Sequence, residues 1–340
     1  MADRTTALTE FLARTGWHSA RRTTIAGDAS NRRYDRLTTD TGQTAVLMDA
    51  PPEKGEDVRP FIHIAQHLID TGLSAPNILH QDVENGFLLI EDLGDDLFAV
   101  VVRNNPGLEH RLYAHAVDVL THLHKTPCPP LQPYDATEMT KMAALAYDWY
   151  LLGASGEKHA EKQRAFSGAV YAALKPLDDG AKVLIQRDYH AENLLWMPER
   201  DGVTRVGLLD FQDAMEGHAA YDLVSILQDA RRDVPSETET AMKTRYISQN
   251  RLDPDSFDRA YALLGAQRNL RILGVFARLC MRDGKAHYVD LIPRVWNHIQ
   301  TNLAHPALHD IAALVSSDLP PPTPALLERL RSQCATVPRQ

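Results

Sequence analysis

The chain has 340 residues, of which 44% are hydrophobic and 24% are charged, a composition typical of globular proteins. This length predicts two domains or lobes, each able to bury a core. The net charge of −9 disfavours nucleic acid or an anionic membrane as a partner. The three cysteines are widely spaced, the N-terminus lacks an apolar signal-peptide core, and no apolar run could span a bilayer. We therefore expect a cytoplasmic protein with reduced thiols.

The first ninety residues predict a β-rich region with one inserted helix. A short helix over 4–15 precedes β structure over 23–49. Apolar residues then recur at helical spacing from Val58, and Gly72 is a helix stop signal. The runs ILHQDVE and FLLIEDL follow, joined by Asn85-Gly86. This pair predicts a hairpin in which both turn residues have positive φ.

The rest of the chain predicts helices interrupted by one short β region. The predicted helices cover residues 107–125, 136–152, 159–175, 255–283 and 287–303. The β region contains the runs KVLIQ, NLLWM and VGLLDF, with a turn at 198–202. We therefore predict an α+β fold with a small β-rich N-lobe over 1–93 and a larger, mostly helical C-lobe over 94–340.

The segment QRDYHAENLLW, residues 186–196, places several ionisable side chains beside apolar runs. Such charges are costly unless they are paired or bind a ligand. If NLLWM pairs with VGLLDF, Asp210 returns beside Asn193, and both offer the hard oxygen ligands that suit Mg²⁺ held with phosphate. Asp188 would then orient or deprotonate a hydroxyl. This is the division of labour in kinase-type phosphoryl transfer, although a surface hairpin with polar caps is the alternative.

These motifs resemble those of a known superfamily. The loop from Asp188 to Asn193, followed by a strand, a turn and a strand ending in Asp210-Phe211, is similar to the catalytic and metal loops of protein kinases. The stretch GHAAYDLVSI resembles the aminoglycoside phosphotransferase superfamily of small-molecule kinases. Further stretches resemble its sugar kinases that phosphorylate N-acetylmuramate and N-acetylglucosamine at C1; these are GDASNRRYDRL, VLMDAPPE, RPFIHIAQHL, GFLLIEDLGDD, LLDFQDAMEG and AQRNLRILGVFARL.

The resemblance covers nearly the whole chain and implies a protein-kinase-like bilobal fold. It also implies ATP and Mg²⁺ as cofactors in the cleft, an amino sugar as the hydroxyl acceptor, a monomer, and a role in recycling cell-wall amino sugars. Asp188 would be the catalytic base, and Asn193 and Asp210 the Mg²⁺ ligands. Glu91 and Leu93 would belong to the hinge that meets adenine through backbone groups.

The resemblance also suggests residues that contact the acceptor. Gln267 and Arg268 would face the acceptor pocket, where an arginine suits the lactyl carboxylate of N-acetylmuramate. His190 and Glu192 flank the base and are further candidates, with a solvent-facing loop as the alternative. Arg271 is better explained by a solvated helix face. Asp222 is expected to tie its helix to the catalytic loop.

The sequence departs from kinase motifs at three places. Gln186 and Gln212 stand where kinases have the histidine of the catalytic loop and the glycine of D-F-G. Met48 occupies the usual place of the phosphate-binding lysine, and the glycine-rich loop is missing. We expect Arg32 or Arg33 to supply the missing positive charge, because guanidinium binds phosphate bidentately.

Three alternatives remain open at this point. The acceptor could be another hydroxyl compound, such as an aminoglycoside, a choline-like compound or an amino alcohol. The protein could be a metal-dependent hydrolase built from Asp188, His190, Asp210, Asp213 and His218. It could also be a catalytically silent kinase-like scaffold, as the substitution at Met48 would allow.

Overall fold

The structure is a computed structural model that describes residues 4–25 and 31–338. The chain forms two compact units. The first unit combines Met1–Thr126 with Ala191–Ala214, and the second combines Pro127–His190 with Met215–Gln340. The predicted division into an N-lobe over 1–93 and a C-lobe over 94–340 stays a prediction, and residues 26–30 of the predicted β structure over 23–49 lie outside the described residues. Among the helices that the structure describes, none is both long and apolar enough to cross a membrane.

The first unit contains a five-stranded antiparallel sheet, a separate two-stranded hairpin and several helices. Its helices and strands are α1 (Arg4–Arg14), β1 (Arg21–Ile25), β2 (Arg33–Thr38), β3 (Thr44–Asp49), α2 (Arg59–Asp70), β4 (Ile78–Asp82), β5 (Phe87–Ile90), α3 (Phe98–Asn104), α4 (Glu109–Leu123), β7 (Leu194–Trp196) and β8 (Val206–Leu208). The five strands of the sheet lie in the order β1-β2-β3-β5-β4. The predicted inserted helix is confirmed as α2, which ends before Gly72, a residue with a φ of +82°.

The core of the first unit lies between α1 and one face of the sheet. Alternate residues of β3 and β5 point to this face, as the two-residue period of a strand requires. The cluster consists of Leu8, Phe11, Leu12, Leu37, Ala45, Leu47, Phe87 and Leu89. Met48 belongs to the opposite face and is fully buried. A lysine at this position would therefore carry its charge into a buried environment.

The predicted hairpin around Asn85-Gly86 is confirmed, but its turn is of another kind. β4 and β5 close at the pair Asp82–Phe87, which leaves a four-residue turn. Gly86 has a φ of +69°, whereas Asn85 is not among the described residues with positive φ. The reason is local: Asn85 donates its backbone N–H and its amide to the Asp82 carboxylate, at 3.2 and 3.1 Å. This side-chain cap favours the longer turn.

The second unit is mostly helical. Its helices and strands are α5 (Ala136–Ala143), a π-helical segment (Ala146–Leu151), α6 (Leu152–Ser155), α7 (Ala160–Leu174), β6 (Lys182–Ile185), β9 (Met215–His218), α8 (Ala220–Leu227), α9 (Ser236–Asn250), α10 (Pro254–Met281), α11 (Ile292–Leu303), α12 (His309–Asp318) and α13 (Pro324–Ser332). β6 pairs antiparallel with β9, a strand that the sequence did not predict. The range 136–152 is helical as predicted, but the π-helical segment divides it, so it is not one continuous α-helix.

Helix α10 is the centre of the second unit. It is 28 residues long and buries residues on every side, so it is an interior helix rather than an amphipathic surface helix. At Gly274 its backbone comes so close to Leu145 and Ala146 that no Cβ could be accommodated. The π-helical segment begins at this closest approach. α10 also carries Gln267, Arg268 and Arg271.

Candidate active site

One group of predicted site residues lies on the β7–β8 hairpin of the first unit. Leu194 pairs with Leu208, and the N–H of Leu209 donates to the carbonyl of Asn193 at 3.0 Å. This register brings Asn193 and Asp210 together, as the sequence predicted. The amide nitrogen of Asn193 donates to the Asp210 carboxylate at 3.3 Å. The hairpin therefore holds an amide and a carboxylate at one point.

The donor chemistry of this pair fits Mg²⁺. A cation that takes both side chains as ligands would replace the hydrogen bond between them, with the amide turned so that its oxygen faces the metal. Gln212 donates to the other carboxylate oxygen of Asp210 at 2.7 Å, so the residue that replaces the glycine of D-F-G holds the carboxylate in place. Asp210 has a φ of +57°, a backbone conformation that side chains rarely adopt and that occurs at functional sites. Phe211 packs on Phe61 with ring centroids 4.9 Å apart.

The predicted hinge follows β5, which ends at Ile90. The backbone N–H of Glu91 donates to the carbonyl of Asn77 at 2.8 Å. The Glu91 carboxylate accepts from the Asn77 amide and from Arg200, both at 2.6 Å. These bonds fix the residue through its side chain and its N–H. An adenine contact at this place would use the carbonyl of Glu91 and the N–H of Leu93.

Arg32 and Arg33 differ in how they are engaged. The Arg32 guanidinium forms an ion pair with Glu56 at 2.8 Å and is half-buried. Arg33 is exposed and opens β2, where it pairs in register with Asp49. Neither arrangement tests the predicted phosphate contact. The ion pair does make Arg32 less available, since binding phosphate would compete with Glu56.

Asp188 belongs to the second unit, in the segment that follows β6. The Asp222 carboxylate accepts the backbone N–H groups of Gln186 and Arg187 at 2.6 and 2.9 Å, as expected for a residue that ties α8 to this loop. Arg187 has a φ of +72°, so these bonds hold an unfavourable backbone conformation directly before Asp188. Ser225 adds a third bond, donating to the carbonyl of Arg187 at 3.3 Å.

The surrounding charges keep Asp188 ionised. Burial raises the pKa of its carboxyl, but the guanidiniums of Arg271 and Arg268 outweigh this effect and lower the pKa below its ordinary value. For Asp222 the effect of burial prevails. It raises the pKa of this carboxyl to about 7 in spite of the two backbone hydrogen bonds, which lower it. At neutral pH Asp188 is therefore ionised whereas Asp222 is only partly ionised, and the Asp188 carboxylate can accept a hydrogen bond from a hydroxyl.

The four predicted acceptor-contacting residues lie in different surroundings. His190 is buried, its Nε2 lies 3.2 Å from Arg231, and burial together with Arg231 lowers its pKa to about 4. Glu192 is exposed. Gln267 is buried and donates to the carbonyl of Met139 at 2.9 Å. Arg268 is buried and donates to the Ser225 hydroxyl at 2.7 Å. Contact with an acceptor stays a prediction for all four.

Arg271 is the residue that sequence analysis missed. It was assigned to a solvated face, but it is half-buried and its charge lowers the pKa of Asp188. A signal was available: α10 is apolar over most of its length, so it has no polar side along which a solvated arginine would lie. Charged residues on such a helix belong to the interior.

The fold and these residues define a kinase-like phosphotransferase. The antiparallel sheet of the first unit, the largely helical second unit, and the Asp188–Asn193 and Asp210-Phe211 motifs together characterise this class. The chain belongs to the phosphotransferase enzyme family, whose sequence model matches residues 21–260. The predicted kinase-like α+β fold and the resemblance to the aminoglycoside phosphotransferases are thus confirmed.

Two relatives are similar over almost their whole length, and both are called N-acetylmuramate/N-acetylglucosamine kinase. The protein from Caulobacter vibrioides is 37% identical over 92% of this chain and 96% of its own. The protein from Pseudomonas aeruginosa is 36% identical over 91% and 93%.

Solved structures support the fold. A choline/ethanolamine kinase family protein from Mesorhizobium loti superposes with a TM-score of 0.61, at 15% identity, over 93% of this chain and 100% of its own. An aminoglycoside phosphotransferase in a ternary complex with streptomycin and ATP superposes with a TM-score of 0.56, at 13% identity, over 90% and 97%.

The metal-dependent hydrolase receives no support. Within residues 4–25 and 31–338, no group of three or more histidine, cysteine, aspartate or glutamate side chains could hold a metal ion. A site with one carboxylate and one amide, completed by phosphate oxygens, needs no such group.

Proposed function

We propose that the protein transfers the γ-phosphoryl group of ATP to the anomeric 1-hydroxyl of N-acetylmuramate and N-acetylglucosamine. The observation that supports phosphoryl transfer most directly is the pairing of Asn193 with Asp210 on the β7–β8 hairpin. The choice of acceptor sugar is supported by the two relatives, which are named N-acetylmuramate/N-acetylglucosamine kinase and match over nine tenths of both chains. The proposed setting is the cytoplasm, in recycling of cell-wall amino sugars.

Asn193 and Asp210 are the proposed ligands of Mg²⁺. The ion they would hold would supply positive charge against the charge that develops on the phosphoryl group. The chain's own part is to hold the two ligands in register through the β7–β8 ladder and to fix the Asp210 carboxylate through Gln212. Because both side chains already lie at one point, the binding of the ion would require only that the Asn193 amide turn its oxygen toward it.

Asp188 is the proposed base, and its lowered pKa limits what it can do. A carboxylate with a low pKa accepts a hydrogen bond well but removes a proton weakly. This suffices for phosphoryl transfer with a loose transition state, in which the nucleophile needs orientation more than full deprotonation. It also favours an acidic hydroxyl. The anomeric hydroxyl is more acidic than an ordinary alcohol, and therefore matches this weak base.

At the nucleotide end, we assign adenine to the carbonyl of Glu91 and the N–H of Leu93. Arg33 is our preferred phosphate-binding residue, since it is exposed and Arg32 is paired with Glu56. His190 is buried and neutral, which suits a structural role within the loop. Glu192 is exposed and remains a candidate for acceptor contact.

The test is ADP release with Mg·ATP and a panel of acceptors. The panel contains the two sugars, their 1-O-methyl glycosides, kanamycin, choline and homoserine. We expect turnover with the free sugars and none with the glycosides, whose anomeric oxygen is blocked. Turnover with kanamycin, choline or homoserine but not with the sugars would refute the acceptor and retain the kinase. No turnover with any acceptor would favour the silent scaffold.

Two variants connect the activity to the site. Asp188→Asn should lower kcat by at least about 100-fold, the usual contribution of acid–base groups. Asp201→Asn is the matched control, because Asp201 lies in the β7–β8 connection with a fully exposed side chain. Its activity should equal that of the wild type. Equal activity of Asp188→Asn and the wild type would exclude Asp188 as the base.

A further inference from the structure

Arg271 is held in a fixed place on α10. It shares a helix face with Gln267 and Gly274, one turn away on either side. Gln267 donates to the carbonyl of Met139 at 2.9 Å, and Gly274 packs against the backbone of Leu145. Because both turns are fixed by close contacts, the backbone position of Arg271 is fixed as well. Its side chain retains accessible surface.

Arg268, one turn earlier, has a different position. It is 3% exposed, and its Nη2 donates to Ser225, which in turn donates to the carbonyl of Arg187. Its Nε and Nη1 have no hydrogen-bond acceptor among the described residues, but they also have no accessible surface for a substrate to reach. Arg268 therefore supports the loop from inside. Of the two arginines, Arg271 is the one that a substrate can contact.

The charges in this part of the second unit leave a positive excess. Charged groups that act on Asp188 or on its neighbour His190 include the guanidiniums of Arg187, Arg231, Arg268 and Arg271 and the carboxylate of Asp229. Asp188 in turn acts on Asp222. Among these groups four positive charges meet three negative charges when every carboxylate is ionised, Asp188 included. Because burial raises the pKa of Asp222 to about 7, the excess at neutral pH is larger. In a chain with a net charge of −9, this is a local environment suited to an anion.

The acceptor is the better source of that anion than the transferred phosphoryl group. Asp188 is the proposed partner of the acceptor hydroxyl, and α10 contacts the loop before Asp188 through the bonds from Arg268 to Ser225 and from Ser225 to the carbonyl of Arg187. Arg271 lies one turn further along α10, so we place it on the acceptor's side. The two proposed acceptors differ by one charge, because N-acetylmuramate carries a carboxylate that N-acetylglucosamine lacks. Guanidinium binds carboxylate through two parallel hydrogen bonds.

Taking the proposed amino-sugar kinase activity as given, we infer that Arg271 determines acceptor specificity by binding the carboxylate of an acidic amino sugar. Arg268 is a positioning residue that supports the loop before Asp188 through Ser225. The enzyme should therefore prefer N-acetylmuramate to N-acetylglucosamine, and this preference should depend on Arg271.

The experiment compares kcat/KM for three acceptors: N-acetylmuramate, its uncharged carboxamide, and N-acetylglucosamine. Arg271→Gln should lower the ratio of N-acetylmuramate to N-acetylglucosamine by roughly 10- to 100-fold, the range for a lost charge-assisted contact. Arg271→Lys keeps the charge but cannot form two parallel hydrogen bonds, so its ratio should lie between those of the wild type and Arg271→Gln. Arg278→Gln is the matched control, since Arg278 is half-buried on the same helix two turns further on. It should keep the wild-type ratio.

The carboxamide makes the test independent of how well the variants fold. In the wild type, replacing the carboxylate of the acceptor by the carboxamide should lower kcat/KM by the same roughly 10- to 100-fold. In Arg271→Gln this difference in kcat/KM between the two acceptors should nearly disappear, because the two groups that contact each other are then no longer both present. A wild type that uses the acid and the carboxamide equally well overturns the inference. So does an equal loss for both sugars in Arg271→Gln, which would assign the residue to the phosphoryl group or to Asp188 alone. A wild type that phosphorylates neither sugar instead refutes the proposed function.

Discussion

Replacing Gly274 by alanine should destabilise the second unit, because the added methyl group has no room. A Cβ at this position would lie 2.6 Å from the backbone nitrogen of Ala146 and closer still to the carbonyl of Leu145. Non-bonded carbon contacts are ordinarily about 3.5–4.0 Å. Since both sides of the clash are backbone, no side chain can rotate away. α10 and the π-helical segment would have to separate by roughly 1 Å to restore such a distance.

The expected cost follows from two opposing effects. Overpacking of this kind costs about 3 kcal/mol, the upper end of the usual range, because neither partner can yield. Alanine in place of glycine inside a helix returns about 1 kcal/mol. The net loss should be about 2 kcal/mol. Gly168 in α7 is the matched control: a Cβ there would meet nothing within 4 Å, so Gly168→Ala should gain about 0.5–1 kcal/mol from the same substitution.

The measurement is urea unfolding of the wild type and both variants by circular dichroism. With a slope of about 2 kcal/mol/M, the midpoint of Gly274→Ala should fall by about 1 M while that of Gly168→Ala rises slightly. Activity should fall in Gly274→Ala as well, because Arg271 is one turn away. Equal midpoints for the two variants would refute the close approach of α10 to Leu145.

Three further predictions concern the loop and the nucleotide end. Burial and Arg231 lower the pKa of His190 from 6.5 to about 4, so the unfolded chain takes up a proton that the folded chain refuses, and stability is lost as pH falls through this window. His190→Gln removes this effect. As the pH falls from 6.5 to 4, the free energy of unfolding of the wild type should decrease more steeply than that of the variant, by about 1.4 kcal/mol per pH unit. Equal slopes for the two proteins would contradict a buried neutral histidine. Asp222→Asn leaves one of two buried backbone N–H groups facing an NH₂ group, which should cost about 1–3 kcal/mol of stability. The variant should lower kcat more than it raises KM. An unchanged kcat would exclude the role of Asp222 in holding the loop. Arg33→Ala should raise the KM for ATP more than Arg32→Ala, whose guanidinium is paired with Glu56, and an unchanged KM in both variants would exclude the phosphate contact.

The features that the sequence predicted well are those set by local patterns. The β7–β8 hairpin follows from two apolar runs and a turn, and it brought Asn193 and Asp210 together as expected. α2 and its end at Gly72 follow from helical spacing and a glycine stop signal. In each case the interactions that decide the structure lie within about twenty residues.

The features that the sequence missed depend on distant partners. The helix predicted over 136–152 has a continuous helical pattern, but the approach of Gly274 from α10 lies at its break. β9 has the sequence MEGH, which carries no strand signal, and it becomes a strand only because β6 offers it a partner. Arg271 was misassigned although the apolar residues around it on α10 point to an interior helix. The burial of a helix on all sides depends on what packs around it, and a single arginine does not reveal those neighbours.

The position of the transferred phosphate tests the account most directly. The wild type would be incubated with Mg·ATP and N-acetylglucosamine, and the product examined by ³¹P and ¹H NMR. Coupling of the phosphorus to the anomeric proton, with loss of the free reducing end, is the predicted result. Coupling to the protons at C3, C4 or C6 would show that an ordinary alcohol is the nucleophile, and would contradict the match between the weakly basic Asp188 and an acidic anomeric hydroxyl.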